Sequence, residues 1–286
     1  MIEDALRYQT QGFDWLQRVL IGGGVLFLGF FLFVPLFTFN GYMLEVMRRV
    51  MDGNTTDPPE WGDLDLVDTT VFGLKHAIVV LGFMLAVFLL AGIPFALIAV
   101  VATAADSGGL WLLAVLVGFV VYFAASLALA AVFPVATGNL VREDSIAAGF
   151  DIDLLRTVVP NRTMLTAVLY AIVVNFIIGG VSGVLGATIV GYLAVPFISF
   201  AGQSSIFYIW GEGFADAYEA EYGERPTVPD GPLKPGVTVG EGGPGSASTS
   251  GSDGPTGTPG DVVDVSDDDS GESDSGTDES DDRRWE

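Results

Sequence analysis

Residues 163–210 read TMLTAVLYAIVVNFIIGGVSGVLGATIVGYLAVPFISFAGQSSIFYIW, and no Asp, Glu, Lys or Arg interrupts them. A bilayer core about 30 Å thick is crossed by roughly 20 helical residues at about 1.5 Å each. This stretch is too long for one crossing and suits two. The cluster Gly179-Gly180-Val181-Ser182-Gly183 is the expected turn between them.

Three further uncharged runs lie upstream. Residues 19–39 follow Arg18, residues 77–105 lie between His76 and Asp106, and residues 110–140 end before Arg142. Four such runs in one chain exclude an ordinary soluble core. The expected fold is all-α: a polytopic transmembrane bundle of about five spans, near residues 19–39, 77–105, 110–140, 163–181 and 184–210. Short amphipathic surface helices complete it. Residues 1–18 form an amphipathic N-terminal segment, 19–223 the helical membrane domain, and 224–286 an acidic tail.

Composition agrees with this division. The 286 residues are 50% hydrophobic and 16% charged, yet 35 Asp and Glu against 12 Lys and Arg give a net charge of -23. Mean hydropathy is +0.52. Apolar and acidic residues must therefore be segregated along the chain. Residues 226–286 hold 15 acidic and three basic residues among Gly, Pro, Ser and Thr. With almost no apolar cluster to offset the entropy of ordering, this tail is expected to be disordered. The acidic balance also disfavours nucleic acid as a partner.

The function classes narrow further. There is no Cys and only one His. Thiolate metal sites, disulfides, Cys nucleophiles and His-pair metal sites are excluded. No catalytic, cofactor-binding or metal-binding residue is identified, and no cofactor is expected. His76 adjoins Lys75 at a span entrance, where snorkelling is the simplest role.

Candidate interface residues can be named. In residues 41–51, Met43, Leu44, Met47, Val50 and Met51 gather on one side and Glu45, Arg48 and Arg49 on the other. This reads either as a surface helix meeting anionic headgroups or as an extension of the first span. Trp15, Trp61, Lys75 and Arg156 suit the membrane boundary. Residues 151–159 form a second amphipathic helix with Ile152, Leu155 and Val159 on one face. Glu60, Asp63, Asp65 and Asp68 read as a solvated loop rather than a calcium loop.

Within the spans, Gly179, Gly183, Ala187 and Gly191 recur every four residues, a seam that permits close helix packing in lipid. The same glycines also serve the expected turn, so both roles stand open. Asn175 and Gln203 are the candidate intramembrane polar residues. Pro35, Pro134 and Pro196 sit in similar contexts, an apolar run before and a small polar residue and Gly after. This is a weak internal repeat of the kind found in transporters.

Orientation follows from Lys and Arg. Arg48, Arg49 and Lys75 place the first loop in the cytoplasm, and Arg142, Arg156 and Arg162 the third. Five spans then put the N-terminus outside and the C-terminal tail inside. Arg7 and Arg18 oppose that reading. A re-entrant first run would leave both termini cytoplasmic.

Several of these pieces together resemble a known family. They are Pro35 to Gly41-Tyr42 with the Arg-bearing helix after it, Pro59-Glu60-Trp61-Gly62-Asp63, Gly73-Leu74-Lys75, and residues 138–162. The sequence resembles the domain of unknown function 4013 family of archaeal and bacterial integral membrane proteins over roughly residues 5–222. Pro58 stands where that pattern has Leu. A sequence pI near 4.1 is similar to that of haloarchaeal members. The resemblance implies a membrane location and no activity. The expected function is a non-enzymatic structural or accessory component of the cell membrane. The alternative is a small-solute permease or transporter subunit built from kinked repeats. Expected partners are the lipid bilayer and a membrane protein or second copy of the chain.

Overall fold

The computed structural model describes residues 2–232. The expected disorder of the acidic tail falls almost wholly outside the described residues. The described part is helical. The helices are α1 (Ile2–Tyr8), α2 (Trp15–Gly29), α3 (Phe33–Met51), α4 (Leu66–Ala104), α5 (Gly108–Glu143), α6 (Ile152–Val158), α7 (Arg162–Gly186) and α8 (Ile189–Tyr222). A single 3-10 turn, Ala147–Phe150, precedes α6. Four helices, α4, α5, α7 and α8, are long and apolar enough to cross a bilayer, and α2 is a shorter apolar helix.

The chain is a set of three helical hairpins whose tips lie at one end. The α4–α5 tip is Ala105-Asp106-Ser107. There Asp106 takes a positive φ of 44°, and the Ser107 hydroxyl caps α5 by accepting from the Leu110 amide. The α7–α8 tip is Ala187-Thr188, where the Thr188 hydroxyl accepts from the Gly191 amide at 3.0 Å. The third tip, Phe30 to Leu32, divides the first apolar run. Leu32 is extended (φ -127°, ψ 115°), so the helix stops and restarts one residue later.

This division corrects the expectation of a single span over residues 19–39. Gly29 packs directly on Leu36 across the break. At the base of the hairpin, the Trp61 indole N–H donates to the Arg18 carbonyl, and the Trp61 ring stacks on Tyr42 at 4.4 Å. Arg18 near the start of α2 and Tyr42 midway along α3 therefore sit at one level. The first run folds back on itself, the shape that the re-entrant alternative requires.

The expected turn at 179–183 is also displaced. Helix α7 continues through Gly186, and Gly179, Gly180 and Gly183 keep helical backbone, with no positive φ that would mark a turn. Only with Thr188 does a residue offer a side-chain cap to start the next helix. At the far end of α8, Gly223 adopts φ 81° and closes the helix, the left-handed cap that glycine alone takes without strain.

All remaining segments meet at the other end. Ser205 donates to the Ala5 carbonyl at 2.8 Å, Asn161 to Glu221 at 3.0 Å and Lys75 to Asp144 at 2.8 Å. Helices α3 and α4 approach most closely here, at Gly41 against the Thr69 carbonyl and Gly73 against the Phe37 carbonyl. Only a residue without Cβ permits that contact. Every residue from Gly41 to Met51 is buried. The segment read as a possible surface helix is thus the core of the polar end.

Candidate functional site

Two features concentrate polar groups, and the first is the polar end itself. Glu45 on α3 pairs with both Arg48 and Arg49, one carboxylate oxygen to each guanidinium. Arg49 reaches Asp57 as well, at 3.4 Å. Arg18, 2% exposed, pairs with Glu60. The Tyr42 hydroxyl donates to the Pro59 carbonyl at 2.9 Å, and the Tyr8 hydroxyl to the Asp57 carbonyl at 3.3 Å. Residues 57–61 are thereby tied to α1, α2 and α3 together, and the two prolines hold this loop extended for those contacts.

Arg48 and Arg49, at 5% and 6% exposed, do not meet headgroups. A buried guanidinium needs a counter-charge, and Glu45 and Asp57 supply it within eight residues. Arg48 also donates to the Pro229 carbonyl at 3.1 Å, and the Asp65 amide to the Pro232 carbonyl at 2.8 Å. The segment after α8 thus crosses back over the start of α4. Burial, then the neighbouring Arg49, draws the Arg48 pKa down to about 10. A cavity of about 210 Å³ beside it is lined by Lys75, Asp68, Asp144 and Asp230 as well as Arg48, a mixed set of charges.

The other candidate interface residues divide. Trp15 and Arg156 are exposed, and Lys75 is partly exposed in its pair with Asp144. Trp61 is 7% exposed and lies in the core, because its ring completes the stack with Tyr42 and Phe200. In α6 the buried residues are Leu154 and Val158, while Ile152 is exposed, so the helix is turned from the face expected. His76 does not snorkel. It is 3% exposed, between Phe133 and Phe207, with Nε2 3.4 Å from the Thr137 hydroxyl. Asp65 caps α4 by accepting from the Val67 and Asp68 amides.

The second feature is a cavity of about 220 Å³ among α5, α7 and α8. Asn175 and Gln203 both line it, with Trp210 and Phe133 toward the polar end. The Trp210 indole N–H is buried and has no hydrogen-bond partner. The Asn175 amide is exposed and the Gln203 amide half-buried, and neither makes a hydrogen bond among the described residues. Sequence reasoning found both amides but not Trp210. Its place seven residues after Gln203, two turns along the same face, is the signal that would have found it. The glycine seam is not brought into contact: Gly179 and Gly183 face open space, and only Gly191 packs closely, against the Leu185 carbonyl.

The model of the family described as "Protein of unknown function (DUF4013)" matches residues 27–200. The chain belongs to that family. No curated protein and no solved structure matches it. In this DUF4013 member the matched segment starts inside α2 and ends inside α8. It contains the Glu45–Arg49 cluster and Asn175, and it stops short of Gln203 and Trp210.

Proposed function

We propose that the chain is a non-enzymatic component of the cell membrane, a structural or accessory protein with its polar end in the cytoplasm. The observation that carries this is the packing of the polar end. Its charges are spent on one another, from Glu45 to Arg48 and Arg49 and from Arg18 to Glu60, in a buried network that holds a surface rigid. Among the described residues no group of His, Asp and Glu is arranged to hold a metal ion.

The cytoplasmic assignment rests on charge. Every Lys and Arg among the described residues lies at the polar end, and the tips at 30–32, 105–107 and 187–188 carry none. The α2–α3 hairpin brings Arg7 and Arg18 to that same end, which removes their conflict with the rule. On this reading the chain after α8 leaves on the cytoplasmic side. Partners are lipid and either a membrane protein or a second copy of the chain.

A small-solute permease is the second reading, favoured by the cavity that Asn175 and Gln203 line. Solute flux in liposomes separates the two. The accessory reading expects no saturable uptake of sugars, amino acids or glycerol above empty liposomes. Saturable uptake lost in Asn175→Leu would overturn it.

A further inference from the structure

The α5–α7–α8 cavity has a composition that defines its occupant. Trp210 offers only a donor, whereas the Asn175 and Gln203 amides offer donors and acceptors. A buried donor without a partner is costly, and the Trp210 indole N–H is one; the half-buried Gln203 amide and the exposed Asn175 amide open onto the same space. No charged side chain lines that space, so nothing there would balance an ion.

Position and size narrow the occupant further. At about 1.5 Å per residue, Gln203 stands about 21 Å and Trp210 about 32 Å from the α8 tip at Ile189. With the tip at one face of a core about 30 Å thick, Gln203 stands in the half nearer the polar end and Trp210 at the boundary on that side. The cavity's lining residues all belong to the helices and none to a tip or a polar-end loop, and Ile172 and Asn175 on its α7 wall are exposed, so it opens to the side along α7. At about 220 Å³ it is smaller than a pocket for a whole drug-sized ligand. Beside the mouth, α7 presents Leu169, Val173 and Phe176, all exposed. A polar head fits inside while a chain lies along that strip.

We propose that this cavity is a lateral site for the uncharged, oxygen-bearing head of an amphiphile drawn from the bilayer, one carrying hydroxyl, ether or carbonyl groups. Trp210 donates to a head-group oxygen, and Asn175 and Gln203 bond the others. This goes beyond the accessory reading and does not depend on it.

The test uses the full chain in detergent micelles, labelled with 5-fluorotryptophan, with the Trp210 signal in the fluorine spectrum assigned from its loss in Trp210→Phe. Three probes are titrated: monoolein, which has an uncharged head on a chain; glycerol, the head alone; and dodecane, the chain alone. The expected result is a saturable shift of the Trp210 signal with monoolein and none with glycerol or dodecane. Asn175→Leu and Gln203→Met should each raise the half-saturating monoolein concentration roughly threefold to tenfold, the worth of one hydrogen bond. Unmoved Trp61 and Trp111 signals show that each variant is folded; Asn175→Ala or Gln203→Leu replaces the one that is not. No shift with monoolein, meaning water fills the space, overturns the proposal. So does an equal shift with dodecane, which marks an apolar slot, or a shift with glycerol alone, which marks a water-borne solute.

Discussion

The Trp61 indole N–H reaches back 43 residues to donate to the Arg18 carbonyl at 3.2 Å. That bond fastens the loop after α3 to the start of α2 and closes the first hairpin at its base. Topology follows from it. If α2 and α3 return to the side they left, residues near 10, 57 and 227 share one face of the membrane and the three tips share the other.

The absence of Cys makes this directly measurable, because single cysteines can be added to an unmodified chain. Thr10→Cys, Thr55→Cys and Thr227→Cys should react with a membrane-impermeant maleimide only from the cytoplasmic face of oriented vesicles. Ser107→Cys and Thr188→Cys should react only from the opposite face. Labelling of Thr10→Cys together with Ser107→Cys would restore the five-span arrangement.

Glu45 carries the counter-charge for two buried guanidinium groups. Removing one partner of a buried pair leaves an uncompensated charge and costs roughly 3–5 kcal/mol. Glu45→Gln should therefore lower the thermal unfolding midpoint in detergent sharply. Glu45→Gln with Arg49→Met removes one of the two stranded cations and should recover part of the loss. Equal midpoints for the parent and Glu45→Gln would mean that the pairs contribute nothing to stability.

Alkaline pH should loosen the same end. Burial holds the Tyr8 and Tyr42 hydroxyls well above their ordinary value near 10. Tyr8 is also raised by Tyr42 and Asp57 and lowered by Arg49 and Arg18, while Tyr42 is lowered by Gln9, Arg18 and Arg49 and raised by Glu60. Both pKa values are raised in the folded state, so their contribution is complete below pH 10 and is lost as pH rises past it, where the unfolded chain gives up these protons first. Arg48, drawn down to about 10, acts in the opposite sense over the same range. Two tyrosines outweigh one arginine, so the unfolding midpoint should fall between pH 10 and 11. Tyr8→Phe with Tyr42→Phe should flatten that slope, and a parent midpoint independent of pH would contradict the assignment.

Much of this architecture was legible because the bilayer imposes a length. Residues 77–105 lie inside α4 up to its C-cap Ala105, residues 110–140 lie wholly inside α5, and Gly223 ends α8 as a glycine past a helix should. Phe214, Tyr218 and Tyr222, spaced by four residues along α8, form a continuous row of ring contacts. What composition could not convey was direction. An uncharged run of residues 19–39 has the same hydropathy whether it crosses or returns, and only the extended Leu32 and the distant Trp61 decide. Likewise Arg48 and Arg49 look like headgroup ligands until Glu45, on their own helix, and Asp57 are seen to hold them. Asn175 and Gln203 were recognisable as isolated amides among apolar residues. That they share one cavity depends on how α7 and α8 pack, which no local pattern records.

Two sets of glycines should respond oppositely to alanine. At Gly41 and Gly73 an added Cβ would overlap backbone carbonyl oxygens of Thr69 and Phe37, which have no rotamer to move. Forcing the helices apart costs about 1–3 kcal/mol by overpacking. At Gly179 and Gly183 the same atom meets open space, and each lies inside α7. There alanine gains helix propensity of about 0.8–1.0 kcal/mol over glycine. Gly41→Ala and Gly73→Ala should each lower the unfolding midpoint, while Gly179→Ala and Gly183→Ala should leave it level or raise it. The measurement belongs in dilute detergent, which disfavours self-association. A loss for Gly183→Ala confined to conditions that favour self-association would mean that this glycine face packs against a second copy, because among the described residues an added Cβ there meets nothing within 4 Å.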